Sequence, residues 1–157
     1  MSKPTSITKE IAGRFGIIWI DPWTRPTLPN QGLPGVCEWR PHVATADIGH
    51  TNLDIGQVHA LPYEGVPQMS IKECHPQDEI FVVFDSLVLG LSKTMNETED
   101  DVTWVILLPG MYIIKAGVIH VPPVSLNKDN ISPMLVIQGT ENTTKATKPV
   151  IAHPVVK

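Results

Sequence analysis

The sequence contains few cysteines, few basic residues and no long apolar run, and each shortage excludes a class of protein. Two cysteines, Cys37 and Cys74, are too few for a disulfide framework and fit a reducing compartment. The formal net charge is −4 and no basic run is present, so nucleic acid is not an expected partner. No apolar stretch approaches the roughly 20 residues that cross a membrane, and no apolar segment of the signal-peptide kind follows the first lysine. We therefore expect a cytoplasmic protein without a membrane partner.

Proline and glycine are abundant, with 15 and 11 residues respectively among 157. This composition argues against a helical bundle and favours short strands joined by tight turns in one domain. Alternating or β-branched apolar runs separated by turn residues predict strands over 53–61, 67–75, 79–84, 86–91, 102–108, 112–115, 117–121 and 133–138. Short strands at this spacing predict an all-β antiparallel sandwich or barrel.

The first part of the chain is less regular than the rest. Residues 16–20 form a short β-branched and aromatic run that predicts a strand, and residues 22–41 contain five prolines, which predicts an irregular arm. We expect residues 1–43 to be a strand and a proline-rich arm that pack on a barrel formed by residues 44–157. Small barrels often protect sheet edges by pairing, and aromatic residues in an arm can form such a contact. The arm's tryptophans therefore predict a homodimer; they are Trp19, Trp23 and Trp39.

Metal-competent side chains are concentrated in two segments. Glu73, His75 and Glu79 come directly before the apolar run 80–84, and His120 follows a glycine later in the chain, in the segment 117–120. Residues two apart in a strand point to the same side, so Glu73 and His75 continue the inward face of the preceding strand. We therefore expect one site built between these two segments.

Two imidazoles and two carboxylates suit a divalent metal such as Zn, Mn, Fe or Ni, with coordination positions left for a substrate oxygen. We expect Glu73, His75, Glu79 and His120 as ligands, with His75, Glu79 and His120 taking part in catalysis. Without a metal, the paired carboxylates would raise one pKa and provide a general acid or base. Tyr112 and Lys115 are candidate contacts to an anionic substrate. The remaining histidines are expected in surface, turn or tail positions; they are His42, His50, His59 and His153.

The two segments resemble the motifs of metal-binding cupins, His-x-His-x(3,4)-Glu followed by Pro-x-Gly-x-x-His. His75, Glu79 and His120 match those motifs, whereas Glu73 stands in place of the first histidine and Lys115 in place of the proline. This resemblance implies a double-stranded β-helix, the jelly-roll-like barrel of that superfamily.

Within the cupins, the chain is most similar to the ureidoglycolate lyase family. The similarity lies in Glu73-Cys74-His75-Pro76 ahead of an apolar strand, in the Pro109-Gly110 turn, and in Gly117-Val118-Ile119-His120-Val121-Pro122. It implies a carbon–nitrogen lyase that cleaves a small ureido- or hydroxy-acid metabolite with the help of a metal. Two other functions remain open at this point, namely a non-catalytic cupin that binds a sugar or organic acid, and a cupin sugar isomerase.

Overall fold

The computed structural model describes residues 8–18, 20–47, 49, 51–62, 69–149 and 151–152. Within these ranges one short helix is followed by twelve strands, and every strand pair is antiparallel. None of the helical structure in this part of the chain is long and apolar enough to cross a membrane. The elements are α1 (Lys9–Arg14), β1 (Cys37–Asp47), β2 (Asn52–Ala60), β3 (Met69–Ser70), β4 (Glu73–Cys74), β5 (Glu79–Val83), β6 (Leu87–Ser92), β7 (Thr103–Leu107), β8 (Gly110–Ile114), β9 (Ile119–Ser125), β10 (Ser132–Gly139), β11 (Lys145–Ala146) and β12 (Ile151–Ala152).

Two five-stranded sheets form the body of the protein. Their strand orders are β1-β2-β10-β5-β8 and β11-β4-β9-β6-β7, and β12 pairs with β3 in a small third sheet. The core lies between the two large sheets because alternate side chains of each strand point inward, such as Val58 and Phe81 from one sheet and Leu89 and Val124 from the other. The predicted all-β, jelly-roll-like fold is confirmed.

Most predicted strands are present, with ends shifted by a few residues, and two predictions need correction. The run 67–75 is not one strand, because β3 and β4 are separated by two residues without strand structure and residues 63–68 lie outside the described ranges. Residues 16–18 are not a strand, because Gly16 adopts a φ of 71° and the Ile17 amide donates to the Ala12 carbonyl at 2.9 Å. These contacts end α1, and Ile17 and Ile18 are left exposed without a sheet partner. Trp19 lies outside the described residues.

The proline-rich arm is held on the outer face of the first sheet by polar contacts. The Gln57 amide donates to the Pro22 carbonyl at 2.6 Å, and His59 Nε2 donates to the same oxygen at 3.1 Å. His59 is buried, so its predicted surface position is wrong, and burial lowers the pKa of its imidazole. His42 is exposed as predicted, with Nδ1 3.0 Å from Asp54 Oδ1, whereas His50 and His153 lie outside the described residues.

The two described tryptophans of the arm behave differently from each other. Trp23 is 60% exposed, whereas Trp39 packs against the core with its ring over Gly56. A Cβ at Gly56 would lie 1.9 Å from that ring, so glycine is required there. Trp39 belongs to β1, which runs from Cys37 to Asp47. The predicted division between residues 43 and 44 therefore falls inside a barrel strand.

Candidate metal centre

The four predicted ligands come together because β4, β9, the start of β5 and the segment between β4 and β5 meet at the inner face of the barrel. Glu73 in β4 is directly opposite His120 in β9, so the two side chains stand next to each other on one face. Glu79 begins β5 and is buried on the same face as Phe81 and Val83. His75 lies between β4 and β5, one residue beyond the end of β4.

The turn between β8 and β9 is fastened to the segment that carries His75. The Gly117 amide donates to the His75 carbonyl at 2.8 Å, and the Ala116 amide donates to Asp78 Oδ1 at 2.8 Å. Lys115 forms an ion pair with Asp78. Gly117 has a φ of 80°, a conformation that strains a residue with a Cβ. The two motifs of the sequence are thus joined directly through their backbones.

The four side chains lie close together without forming hydrogen bonds to one another. Glu79 Oε2 lies 3.4 Å from His75 Nε2 and 3.5 Å from His120 Nε2. Glu73 Oε1 lies 3.6 Å from His120 Nδ1. The two imidazole rings are stacked with their centroids 5.6 Å apart, and the edge of Phe81 packs on His120. These N–O separations exceed the length of an ordinary hydrogen bond.

These atoms fit a divalent metal ion. Glu79 Oε2 and both ring nitrogens of His120 are buried without a hydrogen-bond partner, and an unpaired buried polar group costs about 1–3 kcal/mol. Nitrogen and oxygen ligands about 2.1 Å from a tetrahedral ion are about 3.4 Å apart, which agrees with the separations around Glu79 Oε2. Ligand atoms of Glu73, His75 and His120 also lie within 4.8 Å of one another. The residues present therefore fit the ion that the motifs imply.

The orientation of His75 is fixed by the backbone of the chain's C-terminal part. Its Nδ1 lies 3.1 Å from the Thr143 carbonyl, which can only accept a hydrogen bond. Nδ1 therefore carries the proton, and the lone pair of Nε2 faces Glu79, as in histidines that bind metals. Burial raises the pKa of the Glu73 carboxyl, although the nearby His120 and His75 act to lower it.

A cavity of about 180 Å³ opens above these side chains. It is smaller than the roughly 300–1,000 Å³ pockets that hold drug-sized ligands, so it suits a small molecule. Its walls are mostly apolar, with no lysine or arginine among the described residues that line it. The lining residues are Gln31, Gly32, Leu33, Cys37, Trp39, Val58, Ile71, Glu73, His75, Glu79, Phe81, His120, Pro122, Pro123, Met134, Val136, Gln138 and Thr144.

Two predicted substrate contacts lie outside this lining. The Lys115 side chain is 70% exposed and forms an ion pair with Asp78. The Tyr112 ring packs against the core, and its hydroxyl donates to the Leu108 carbonyl at 2.8 Å. The geometry therefore gives no support to a substrate role for either residue. Residues that sequence reasoning missed include Gln31, Leu33 and Trp39 from the arm, which carried no motif that could have identified them.

No protein-family model matches the sequence. No curated protein matches it either. Solved structures do resemble it, among them peruvianin-I, a cysteine peptidase from Thevetia peruviana latex, at a TM-score of 0.50 and 15% identity over 77% of this chain and 73% of that one. Oxalate oxidase in complex with the substrate analogue glycolate has a TM-score of 0.51 and 16% identity, over 81% of this chain and 62% of that one. Fe(II)-HppE with the alternative substrate (S)-1-HPP has a TM-score of 0.50 and 14% identity, over 79% of this chain and 60% of that one.

The chain spans less than two thirds of the length of the last two proteins. Identities this low carry information about the fold alone, and the stated activities of these proteins differ from one another. The likeness agrees with the two antiparallel sheets. The chain has the cupin fold.

Proposed function

We propose that the protein is a metal-dependent enzyme that transforms a small oxygen-bearing metabolite in the cavity. The observation that carries this proposal is that the buried, unpartnered Glu79 Oε2 lies 3.4 Å from His75 Nε2 and 3.5 Å from His120 Nε2 beneath that cavity. Two imidazoles and one carboxylate are the donor set of non-haem Fe(II) enzymes, and Zn, Mn and Ni also accept it. A cupin-fold structure that resembles this chain, HppE, is described with Fe(II). When bound, the ion would act as a Lewis acid that polarises a substrate oxygen.

The charge of the site limits what it can bind. Glu73 and Glu79 together balance the charge of a divalent ion, and the described lining offers no lysine or arginine to balance more. Each additional buried negative charge without a partner is costly. We therefore propose a substrate with at most one negative charge, whose oxygens bind the ion and whose remainder packs against apolar walls such as Trp39 and Phe81.

At a finer level, we propose a carbon–nitrogen lyase acting on a small ureido or hydroxy acid, as the likeness to ureidoglycolate lyases implies. In such a substrate one carbon bears both a hydroxyl and a nitrogen. Cleavage turns the hydroxyl into a carbonyl as the C–N bond breaks, and the hydroxyl proton is transferred to the departing nitrogen. His75, Glu79 and His120 would orient the substrate through the ion, and the apolar walls would exclude bulk water from it.

The lyase proposal is tested by urea release from a ureido hydroxy acid with the protein loaded with Fe(II), Mn(II), Ni(II) or Zn(II) in turn. We expect metal-dependent release that falls more than about 100-fold in His75→Ala and His120→Ala, because each removes a ligand. His42→Asn serves as the matched control, since His42 is an exposed histidine outside the cavity and asparagine tolerates its φ of 58°. Absence of urea release with every metal, or release that survives both alanine substitutions, would contradict the proposal.

One observation favours a second candidate function. Gln31, Gln138 and Thr144 are neutral hydrogen-bonding groups in the lining, and Trp39 offers an aromatic surface, a combination that suits an uncharged sugar. The protein would then be either a non-catalytic cupin that binds a sugar or a sugar isomerase. Calorimetry with monosaccharides, followed by analysis of aldose and ketose products, separates these outcomes: heat without product identifies a binding module, and interconversion identifies an isomerase.

A further inference from the structure

His120 can bind a metal ion through either of its two ring nitrogens, and the choice decides what Glu73 does. Nε2 lies 3.5 Å from Glu79 Oε2, whereas Nδ1 lies 3.6 Å from Glu73 Oε1. One ion uses only one nitrogen of a given imidazole, because the two lone pairs point in different directions from the ring. An ion at Nδ1 would have Glu73 as a ligand, and an ion at Nε2 would have Glu79 as a ligand.

The surroundings of Glu79 favour Nε2. The Thr143 carbonyl holds His75 so that its Nε2 faces Glu79 at 3.4 Å. An ion next to Glu79 Oε2 would lie near Nε2 of both histidines, since these atoms are 3.4 and 3.5 Å from that oxygen; the competing set, Glu73, His75 and His120, has ligand atoms within 4.8 Å of one another. An ion at His120 Nδ1 would leave Glu79 Oε2 and His120 Nε2 buried without partners, at the cost of two unpaired polar groups.

We propose that Glu73 is a positioning residue and not a ligand of the metal: with an ion on His120 Nε2, the 3.6 Å gap between His120 Nδ1 and Glu73 Oε1 would shorten so that Nδ1 donates a hydrogen bond to that oxygen; this inference rests on the proposed metal centre. With Nε2 on the ion, Nδ1 carries the proton and faces Glu73, its direct cross-strand neighbour. Each imidazole then has an outer acceptor, the Thr143 carbonyl for His75 and the Glu73 carboxylate for His120. Such acceptors fix the tautomer and raise the basicity of the ligating nitrogen.

Exposure is consistent with this division of roles. The Glu73 side chain is 20% exposed, compared with 10% for His75, 5% for Glu79 and 3% for His120, so Glu73 is the most exposed of the four. The cupin first-histidine position is thus occupied here by a residue that acts through His120. A bound ion would then be held by His75, Glu79 and His120, and Glu73 would orient His120.

Cobalt(II) binding to three variants tests the assignment without any activity assay. We expect Glu73→Gln to bind one Co(II) per chain with the absorption spectrum of the wild type and an affinity lowered by about 10–100-fold, since an amide oxygen still accepts from Nδ1. Glu73→Leu should bind more weakly than Glu73→Gln, and Glu79→Gln should lose detectable binding. Loss of binding in Glu73→Gln as severe as in Glu79→Gln, or a changed spectrum in Glu73→Gln, would overturn the assignment.

The zinc-loaded wild type provides a second test that needs no variant. Long-range proton–nitrogen NMR locates the imidazole proton of His120, and we expect it on Nδ1. A proton on Nε2 would overturn the assignment, as would a wild-type protein that binds no Co(II) or Zn(II). A protein that binds metal through Nε2 but cleaves none of the candidate substrates overturns the lyase proposal and leaves the role of Glu73 supported.

Discussion

Cys37 lies in the cavity wall beside the metal site, yet its thiol is not prepared to act as a ligand or a nucleophile. Burial, helped by the negative charge of Glu73, raises the pKa of Cys37 to about 11. The reactive form of cysteine is the thiolate, so the Cys37 thiol is inert at neutral pH. We expect iodoacetamide at pH 7.5 to label the partly exposed Cys74 and to leave Cys37 unmodified, as measured by peptide mass spectrometry.

Denatured protein is the control for this labelling, because both cysteines are then accessible and should react. Labelling of native Cys37 at the rate found in the denatured protein would show that the cavity wall is not closed around it. It would also make the Cys37 thiol a possible metal ligand. A metal site made of imidazoles and carboxylates alone requires that the Cys37 thiol stays protonated.

At the scale of elements, the β8–β9 turn joins the two motifs and depends on one glycine. Gly117→Ala introduces a Cβ at a φ of 80°, and alanine at a positive φ lowers the free energy of unfolding by about 1 kcal/mol or more. We expect metal affinity to fall as well, because the Gly117 amide holds the His75 carbonyl. Gly13→Ala is the matched control, since a Cβ there meets nothing within 4 Å and alanine favours the helix. Unchanged stability and metal binding in Gly117→Ala would contradict the role given to the turn.

The acidic loop over 93–101 is mostly exposed, but its last residue is held against the body of the protein. Asp101 pairs with Lys72, whose side chain is fully buried and also donates to Asn96 at 2.8 Å. The hydrogen bond from Lys72, together with those from Ser92 and Thr94, holds the pKa of the Asp101 carboxyl well below its usual range. The loop is therefore fastened to the body of the protein at its end.

Asp101→Asn should lower the free energy of unfolding at pH 7, because it leaves the buried Lys72 ammonium without its ionic partner. A carboxyl with a lowered pKa in the folded state stabilises the fold above its unfolded pKa of about 3.9, and this contribution is lost as the pH falls through the folded pKa. The difference between wild type and variant in urea denaturation should therefore shrink in strong acid. Asp100→Asn, at the exposed neighbour, should leave stability unchanged. Equal stability of the two variants at pH 7 would contradict this account.

At the scale of the whole molecule, local sequence patterns predicted most strands and the location of the site. The contacts made by strand pairing between distant parts of the chain were not predictable from those patterns. His75, Glu79 and His120 were identified because motif spacing and two-residue alternation are visible within one segment. The contact of His75 with the Thr143 carbonyl could not be predicted, because 68 residues separate Thr143 from His75 in the sequence. The pairing of β11 with β4 brings them together. Residues 16–18 were wrongly predicted as part of a strand because strand propensity does not reveal the positive φ of Gly16, which ends α1.

Homodimer formation stays a prediction, now with a more specific basis. Trp39 lines the cavity, whereas Trp23 is exposed. A group of apolar side chains on β7, on β8 and on their connection is also exposed; it consists of Ile106, Leu108, Met111 and Ile113. Light scattering at micromolar concentration should give twice the mass of the 17.3 kDa chain. If the arm forms the contact, Trp23→Ser should weaken the association. Phe15→Ser, at the exposed end of α1, is the control and should leave the association unchanged. A monomeric mass for the wild type would contradict the prediction.

The metal centre is tested most directly by counting bound metal. Equilibrium dialysis of purified protein against Mn(II), followed by mass spectrometric metal analysis, should give one ion per chain in the wild type and in His42→Asn. The same measurement should give no bound ion in His75→Ala and in His120→Ala. Circular dichroism would verify that both variants are folded. A wild-type protein that binds no divalent metal, or alanine variants that bind it as well as the wild type, would contradict the assignment of this site.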